Sequence, residues 1–282
     1  MQKIPFYIVN AFTNKPFKGN PAGVVLDAEF LNEEIMQKIA RELKCSETSF
    51  VMESENTDYF LRYFSPIKEV DLCGHATIAT FYLMNKEGLI NKRKIKVETK
   101  AGIIGVEIKG KDIFMEQAEP VFREVNLSKR EIAQSLRIDE NEINNLPIEA
   151  VSTGLFSLNI PLKKLETIQK MKPDFEKIKE ICIEAGVGSI FVFTFETINE
   201  DCFVHARCFA PLYGVNEDAV TGTANGALGA YLAKNGLLEE HRYEAEQGYE
   251  IGREGIVKVE VGNKIKVGGE AYVVMKGKIS VE

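Results

Sequence analysis

Two stretches of the chain are nearly the same text. Glu69–Leu89 reads EVDLCGHATIATFYLMNKEGL and Glu217–Leu237 reads EDAVTGTANGALGAYLAKNGL. Cys73-Gly74 aligns with Thr221-Gly222 at an offset of 221 − 73 = 148, which also carries Ala76 to Ala224, Lys86 to Lys234 and Gly88 to Gly236. Upstream, Arg62-x-Phe64-x-Pro66 matches Arg207-x-Phe209-x-Pro211 at 207 − 62 = 145, so the second copy has a loop longer by 148 − 145 = 3 residues. Downstream, GIIGVEI from Gly102 matches GIVKVEV from Gly255 at 255 − 102 = 153. Three anchors in one order define a repeated strand, loop, apolar helix and hairpin. A chain of 282 residues built in this way is expected to form two similar domains facing each other, each able to bury its own core.

Local patterns fill in the units. NEEIMQKIAREL places Ile35, Ile39 and Leu43 on one helical stripe. TSFVM, YFLRYFS, SIFVFTF and DCFVHARCFAP are aromatic and β-branched, hence strands. GHATIATFYLMNKEG and TGTANGALGAYLAKNG are apolar on most sides, which suits buried helices. SKREIAQSLRI and FEKIKEICIEAG are amphipathic helices. The expected fold is α+β: two similar domains, each a curved, mostly antiparallel sheet, an open barrel, wrapped around a central apolar helix. The seam is placed at MEQAEPVFREV, where Pro120 interrupts the strand pattern. The first domain is then 1–117 and the second 118–282, with the final strands, 273–282, able to return and complete the first sheet.

Bulk properties exclude several roles. The net charge is −7, and the longest basic run is NKRKIK, Asn91–Lys96, so a nucleic-acid surface is not expected. No stretch reaches about 18 apolar residues, and the N-terminus reads as a strand without a signal peptide's apolar core, so no membrane role is expected. Five cysteines, an odd number without close pairing, suit reduced thiols in the cytoplasm. Three histidines without H-x-x-H, H-E-x-x-H or C-x-x-C spacing give no expectation of a metal.

In each copy an acidic, glycine-containing loop runs into the apolar helix. The first turn of a helix has N–H groups without intrahelical partners and about half a positive charge, so each start is a modest anion site. Gly74 and Gly222 leave that backbone approachable, although glycine before a helix is also an ordinary turn residue. Two such starts sharing a cleft would suit a small carboxylate or a developing enolate. Proton carriers by residue type are Glu47, Cys73, His75 and Asp218. His75, in the first helical turn, would be a hydrogen-bonding cap or a neutral imidazole that polarises a carbonyl. Asp218, four residues before Gly222, would be a helix cap or a catalytic carboxylate. Thr221 stands where a second thiol would be needed, which rules out a symmetrical two-thiol racemase and leaves Cys73 as a small buried residue lining the site. By composition alone Glu47 is a solvated carboxylate.

Five ordered blocks give Glu47 more weight: AFTNKPFKGNPAGVVL, SETSFV, FSPIKEVDLCGHATIAT, RCFAPLYGVNEDAVTGTANGALGAYL and EQGYEIGREG. Across nearly the whole chain they resemble the PhzF, phenazine biosynthesis-like, family of the diaminopimelate-epimerase-like fold. The resemblance implies a cytoplasmic, homodimeric, cofactor-independent biosynthetic isomerase. Glu47 would move a proton, with His75 and Asp218 as the other catalytic residues. Cys73, Gly74, Gly222 and Thr223 would bind a small carboxylate-bearing substrate. Thr223 often has Ser as its family counterpart, and Ala219 often has Pro. The epimerases of this fold use a cysteine pair that this chain lacks. An amino-acid or hydroxy-acid epimerase and a non-catalytic binder of small acids are the alternative readings.

Overall fold

The computed structural model describes residues 2–281. The chain divides into two compact units, Met1–Glu116 with Gly268–Glu282, and Gln117–Val267.

The first unit opens with β1 (Gln2–Ala11) and β2 (Asn20–Val25), an antiparallel pair with Tyr7 opposite Val24. Helix α1 (Glu33–Leu43) follows. The Asn32 side chain accepts from the Ile35 amide at 2.9 Å, Glu33 and Glu34 occupy the positive first turn, and Lys44 ends the helix in the left-handed region. Its buried face is Met36, Ile39 and Ala40, with Ile35 and Leu43 only partly covered. The buried face thus departs from the expected stripe, with Met36 and Ala40 joining Ile39 in one apolar cluster with Phe50 and Phe64. Strand β3 (Glu47–Met52) pairs parallel with β2 and antiparallel with β4 (Tyr59–Phe64). After β5 (Glu69–Val70) comes α2 (Gly74–Lys86), then β6 (Lys94–Thr99), β7 (Gly102–Lys109) and β8 (Asp112–Glu116). Strand β6 lies parallel to β4, and β6, β7 and β8 form a meander.

The second unit repeats this order. It contains β9 (Val121–Glu124), α3 (Lys129–Leu136), β10 (Glu149–Ser152), β11 (Phe156–Pro161), α4 (Leu165–Lys170) and α5 (Phe175–Ala185). Then come β12 (Ser189–Thr194), β13 (Val204–Ala210), β14 (Val215–Asp218), α6 (Gly222–Lys234), β15 (Arg242–Gln247), β16 (Gly255–Val261) and β17 (Ile265–Gly269). The pair β11–β12 is parallel like β2–β3, and β13–β15 is parallel like β4–β6. The pairs β9–β10, β10–β11, β12–β13, β13–β14 and β15–β16 are antiparallel. Helices α3 and α5 pack Ile132, Leu136, Ile178 and Ile181 with Ile190 and Phe209 in one apolar cluster.

The final strand, β18 (Ala271–Val281), runs antiparallel along the whole of β1, from Ala11↔Ala271 to Gln2↔Val281. The return to the first unit is therefore at Gly268, ahead of the 273–282 segment expected from sequence, so residues 268–282 group with the first unit although the sequence boundary of 118–282 places them in the second. Ten paired positions of β1 hold β18 there, a long-range pairing that no local pattern announces.

The central helices explain their own composition. Helix α2 packs against β1, β2, β3, β8 and β18, and buries Ala76 through Phe81. Its buried hydroxyls are satisfied: Thr77 Oγ1 donates to the Cys73 carbonyl at 2.7 Å, and Thr80 Oγ1 to that of Ala76 at 2.7 Å. Helix α6 packs on β10, β11 and β16. A Cβ at Gly229 would lie 2.9 Å from Val259 Cγ1, so the glycines of α6 permit a closer approach to the sheet than alanine would. The repeat extends to side chains. Arg62 grips Glu69 through two bonds of 2.7 and 2.8 Å and lies over Phe64, while Arg207 grips Glu217 through two of 2.8 Å and lies over Phe209.

Candidate active site

Along β3, successive side chains point to opposite faces, so Glu47 shares a face with Ser49. Ser49 Oγ lies 2.5 Å from Thr80 Oγ1 on α2, which fixes that face as the one covered by the helix. From β4, Tyr63 Oη meets Thr77 Oγ1 at 2.7 Å. Two residues back from Ser49 along the strand, and two helical turns back from Thr80, β3 and α2 begin together. Glu47 is thereby set over the first turn of α2, beside Cys73 and His75.

The contacts there are specific. Glu47 Oε2 lies 3.5 Å from Cys73 Sγ and 3.4 Å from His75 Nε2. Cys73 Sγ is 3.4 Å from His75 Nδ1, and Ser46 Oγ is 3.2 Å from His75 Nε2. The Glu47 side chain retains 23% of its exposure, in contrast to the fully solvated carboxylate that composition suggests, and His75 retains 11%. The His75 ring contacts Ser46, Glu47 and Cys73 rather than serving as the helix cap: the N-cap position is Cys73, which makes no side-chain capping bond. The first backbone bond of the helix runs from the Thr77 amide to the Cys73 carbonyl at 3.0 Å, so the amides of Gly74–Ala76 precede the intrahelical ladder. A Cβ built on Gly74 would have no atom within 4 Å, so this backbone stands beside open space. Ser46 was not singled out from sequence, although it lies inside the SETSFV block.

The start of α6 in the second unit is differently furnished. Asp218 ends β14, and Thr221 holds the N-cap position without a side-chain capping bond. The Thr221 hydroxyl donates to Asp218 Oδ2 at 2.6 Å and accepts from Gln247 Nε2 at 3.1 Å. Gln247, fully buried, also donates to the Asp218 carbonyl at 3.0 Å and accepts from the Thr221 amide at 3.1 Å and from Asn225 Nδ2 at 3.2 Å. Gly222 is buried and Thr223 half-buried, and the Thr223 carbonyl accepts from Thr153 Oγ1 at 3.2 Å. Gln247 and Asn225 were missed by residue-type reasoning, because neutral amides have no place in a search for proton carriers.

Nearby in the second unit, His205 is buried between two carboxylates, with Nδ1 2.7 Å from Glu246 and Nε2 2.9 Å from Glu250. Burial opposes its protonation, but the two carboxylates outweigh burial and raise its pKa. Burial likewise pushes the thiols of Cys182, Cys202 and Cys208 up to about 12, which makes them poor nucleophiles at neutral pH. All five cysteines are buried and none is in a disulfide. Among the described residues no helix is long and apolar enough to cross a membrane.

With this geometry in place, comparison with known proteins is decisive for ancestry. The family model described as "Phenazine biosynthesis-like protein", PhzC-PhzF, matches residues 9–277. The chain belongs to the PhzC-PhzF family. It is 43% identical over 274 residues to the "Uncharacterized isomerase YfhB" of Bacillus subtilis, covering 95% of this chain and 92% of that protein. A PhzF-family crystal structure from Bacillus anthracis superposes with a TM-score of 0.92 at 38% identity, over 100% of both chains. A hydroxyproline epimerase from Agrobacterium vitis superposes with a TM-score of 0.65 at 12% identity, over 99% of this chain and 91% of that one, which shows a shared fold. The PhzC-PhzF membership matches what the sequence blocks imply.

Proposed function

We propose that this protein is an isomerase that relocates a proton, and with it a double bond, on a small carboxylate-bearing metabolite, with Glu47 as the acid/base and no cofactor required. The observation that carries the reading is the half-buried Glu47 carboxylate held over the start of α2, in contact with Cys73 and His75. As carboxylate, Glu47 removes a substrate proton and returns it at another carbon. The Gly74 and His75 amides at the positive end of α2 stabilise the charge that develops between the two steps. His75, with Ser46 against its Nε2, orients the substrate or hands on a proton. The start of α6 has the amides to hold a carboxylate by the same physics, and Asp218, Gly222 and Thr223 are the residues assigned to it. Relatives named isomerases, at 43% and 34% identity, support the reaction class.

A panel of small amino, hydroxy and unsaturated cyclic acids incubated in deuterated water tests the reading. Proton NMR should show solvent deuterium entering, or a double bond moving in, at least one acid, and Glu47→Gln should stop it. Exchange undiminished in Glu47→Gln would remove the proposed base. The fold shared with a hydroxyproline epimerase favours one second reading, epimerisation, which the same spectra separate by deuterium entry at an α-carbon with inversion.

A further inference from the structure

We propose that Glu47, Cys73 and His75 also form a three-ligand site for a thiophilic divalent ion, Zn2+ in the first place, with the fourth coordination position open to solvent. Two of the three edges between the ligand atoms already have the lengths that such an ion demands. With Zn–S about 2.3 Å, Zn–N about 2.0–2.1 Å and Zn–O about 2.0–2.2 Å at tetrahedral angles, the two sulfur edges come to about 3.6 Å and the N–O edge to about 3.4 Å. Here Sγ–Oε2 is 3.5 Å, Nε2–Oε2 is 3.4 Å and Sγ–Nε2 is 3.9 Å. Two edges match, and a small rotation of the His75 ring closes the third. The rotation replaces the contact of 3.2 Å between Ser46 Oγ and Nε2.

Chemistry and mounting agree with the geometry. A thiol, an imidazole and a carboxylate favour zinc and its neighbours over Mg2+ or Ca2+, which prefer oxygen throughout. On binding, Cys73 loses its thiol proton to solvent, so thiolate and carboxylate together neutralise the two charges of the ion. Cys73 and His75 are fixed by the first turn of α2, and Glu47 by the first residue of β3, so little ordering remains to be done when the ion arrives. Gly74, between two of the ligands, leaves the approach open. A search for contiguous metal-binding spacing misses the set because Glu47 lies 26 residues before Cys73. The consequence rests on the proposed function: an ion that takes Glu47 Oε2 removes the base, so Zn2+ inhibits the isomerase by competition for its own catalytic carboxylate.

Cobalt(II) titration of the full-length, reduced, metal-free protein reads the site without any substrate. A near-ultraviolet thiolate-to-cobalt charge-transfer band should saturate at one equivalent and collapse on adding Zn2+. It should vanish in Cys73→Ser and persist in Cys182→Ala, whose thiol lies in the core of the second unit. No band in a protein whose circular dichroism is native, or an undiminished band in Cys73→Ser, overturns the site. A band in a protein that exchanges no substrate hydrogen supports the site and counts against the isomerase reading. Exchange without a band overturns the metal site alone. In active enzyme, one equivalent of Zn2+ should suppress exchange, and a chelator should restore it.

Discussion

The starts of α2 and α6 share a backbone and differ in their surroundings. Cys73 and Thr221 both hold extended N-cap conformations, with φ −140° and −113°, and neither caps its helix with a side-chain bond. Around Cys73, however, the closest approach of Glu47 to His75 is 3.4 Å, beyond an ordinary hydrogen bond. Around Thr221 an interlocked set joins Asp218, Gln247 and Asn225 at 2.6–3.2 Å. Duplication supplied one scaffold twice. One copy keeps titratable groups with room to move, and the other ties its helix start down with neutral amides. The difference teaches that one scaffold can be furnished in two ways: Glu47, Cys73 and His75 gather at the start of α2, and hydrogen-bonded amides hold the start of α6.

Glu47→Gln should break this comparison most strongly, lowering exchange by about 100- to 10,000-fold, the usual contribution of a general acid/base. Its thermal midpoint should stay close to that of the parent. A loss in Asp218→Asn equal to or greater than that in Glu47→Gln would move the base to the second start. The repeated arginines come next. Removing Arg207 leaves Glu217 buried without its guanidinium, and urea denaturation of Arg207→Met should show a loss of about 3–5 kcal/mol. Arg62→Met should lose less, about 1.5–3 kcal/mol, because Lys100 remains on Glu69. Equal losses would mean that the two units are braced alike. Smaller again, Gln247→Leu should destabilise by about 1–3 kcal/mol by orphaning the Thr221 amide and leaving Asn225 Nδ2 with only its bond to the Thr221 carbonyl. Ser46→Ala at the loose start should cost about 0.5 kcal/mol.

The scaffold was largely legible in the sequence, and the site was only partly so. The apolar run from Ala76 to Met84 and the glycine spacing of α6 announce buried helices because burial on all sides leaves its mark at every position. Helix α4 was missed: six residues with one buried side chain, Ile168, carry no periodicity. Strand β10 escaped notice because its first residue is Glu149, whose burial depends on Lys234, 85 residues away. Glu47 looked solvated for the same reason. What half-buries it is a parallel pairing with Ala22 and a helix whose N-cap, Cys73, lies 26 residues later, and only the family resemblance pointed to it. Residues that act through long-range geometry leave no local trace.

A last, pH-dependent effect concerns a position at which the two copies diverge outright. His205 pairs with Glu246 across the parallel strands β13 and β15, and in the first unit Phe60 pairs with Glu98 across β4 and β6. There the Glu98 carboxylate is engaged by Ser54, while Glu246 is engaged by the imidazole and by the Ile198 and Asn199 amides. Because the folded pKa of His205 is raised, the native state holds a proton that the unfolded chain releases near pH 6.5. Its stabilisation is complete below that value and is lost as pH rises through the folded pKa. Burial alone would raise the pKa of Glu246, but the His205, Ile198 and Asn199 bonds outweigh it, so its contribution is complete above 4.5 and is lost as pH falls through the lowered value. Stability should therefore peak between about 4.5 and 6.5 with respect to this cluster and decline above it, by no more than about 1.4 kcal/mol per pH unit for one proton. His205→Asn should abolish the decline above pH 6.5 and also weaken the acid-side contribution of Glu246, which loses the largest of the interactions that lower its pKa. Denaturation midpoints that fall equally in parent and variant would assign the slope to other groups, and would leave the second copy's histidine no different in consequence from the first copy's phenylalanine.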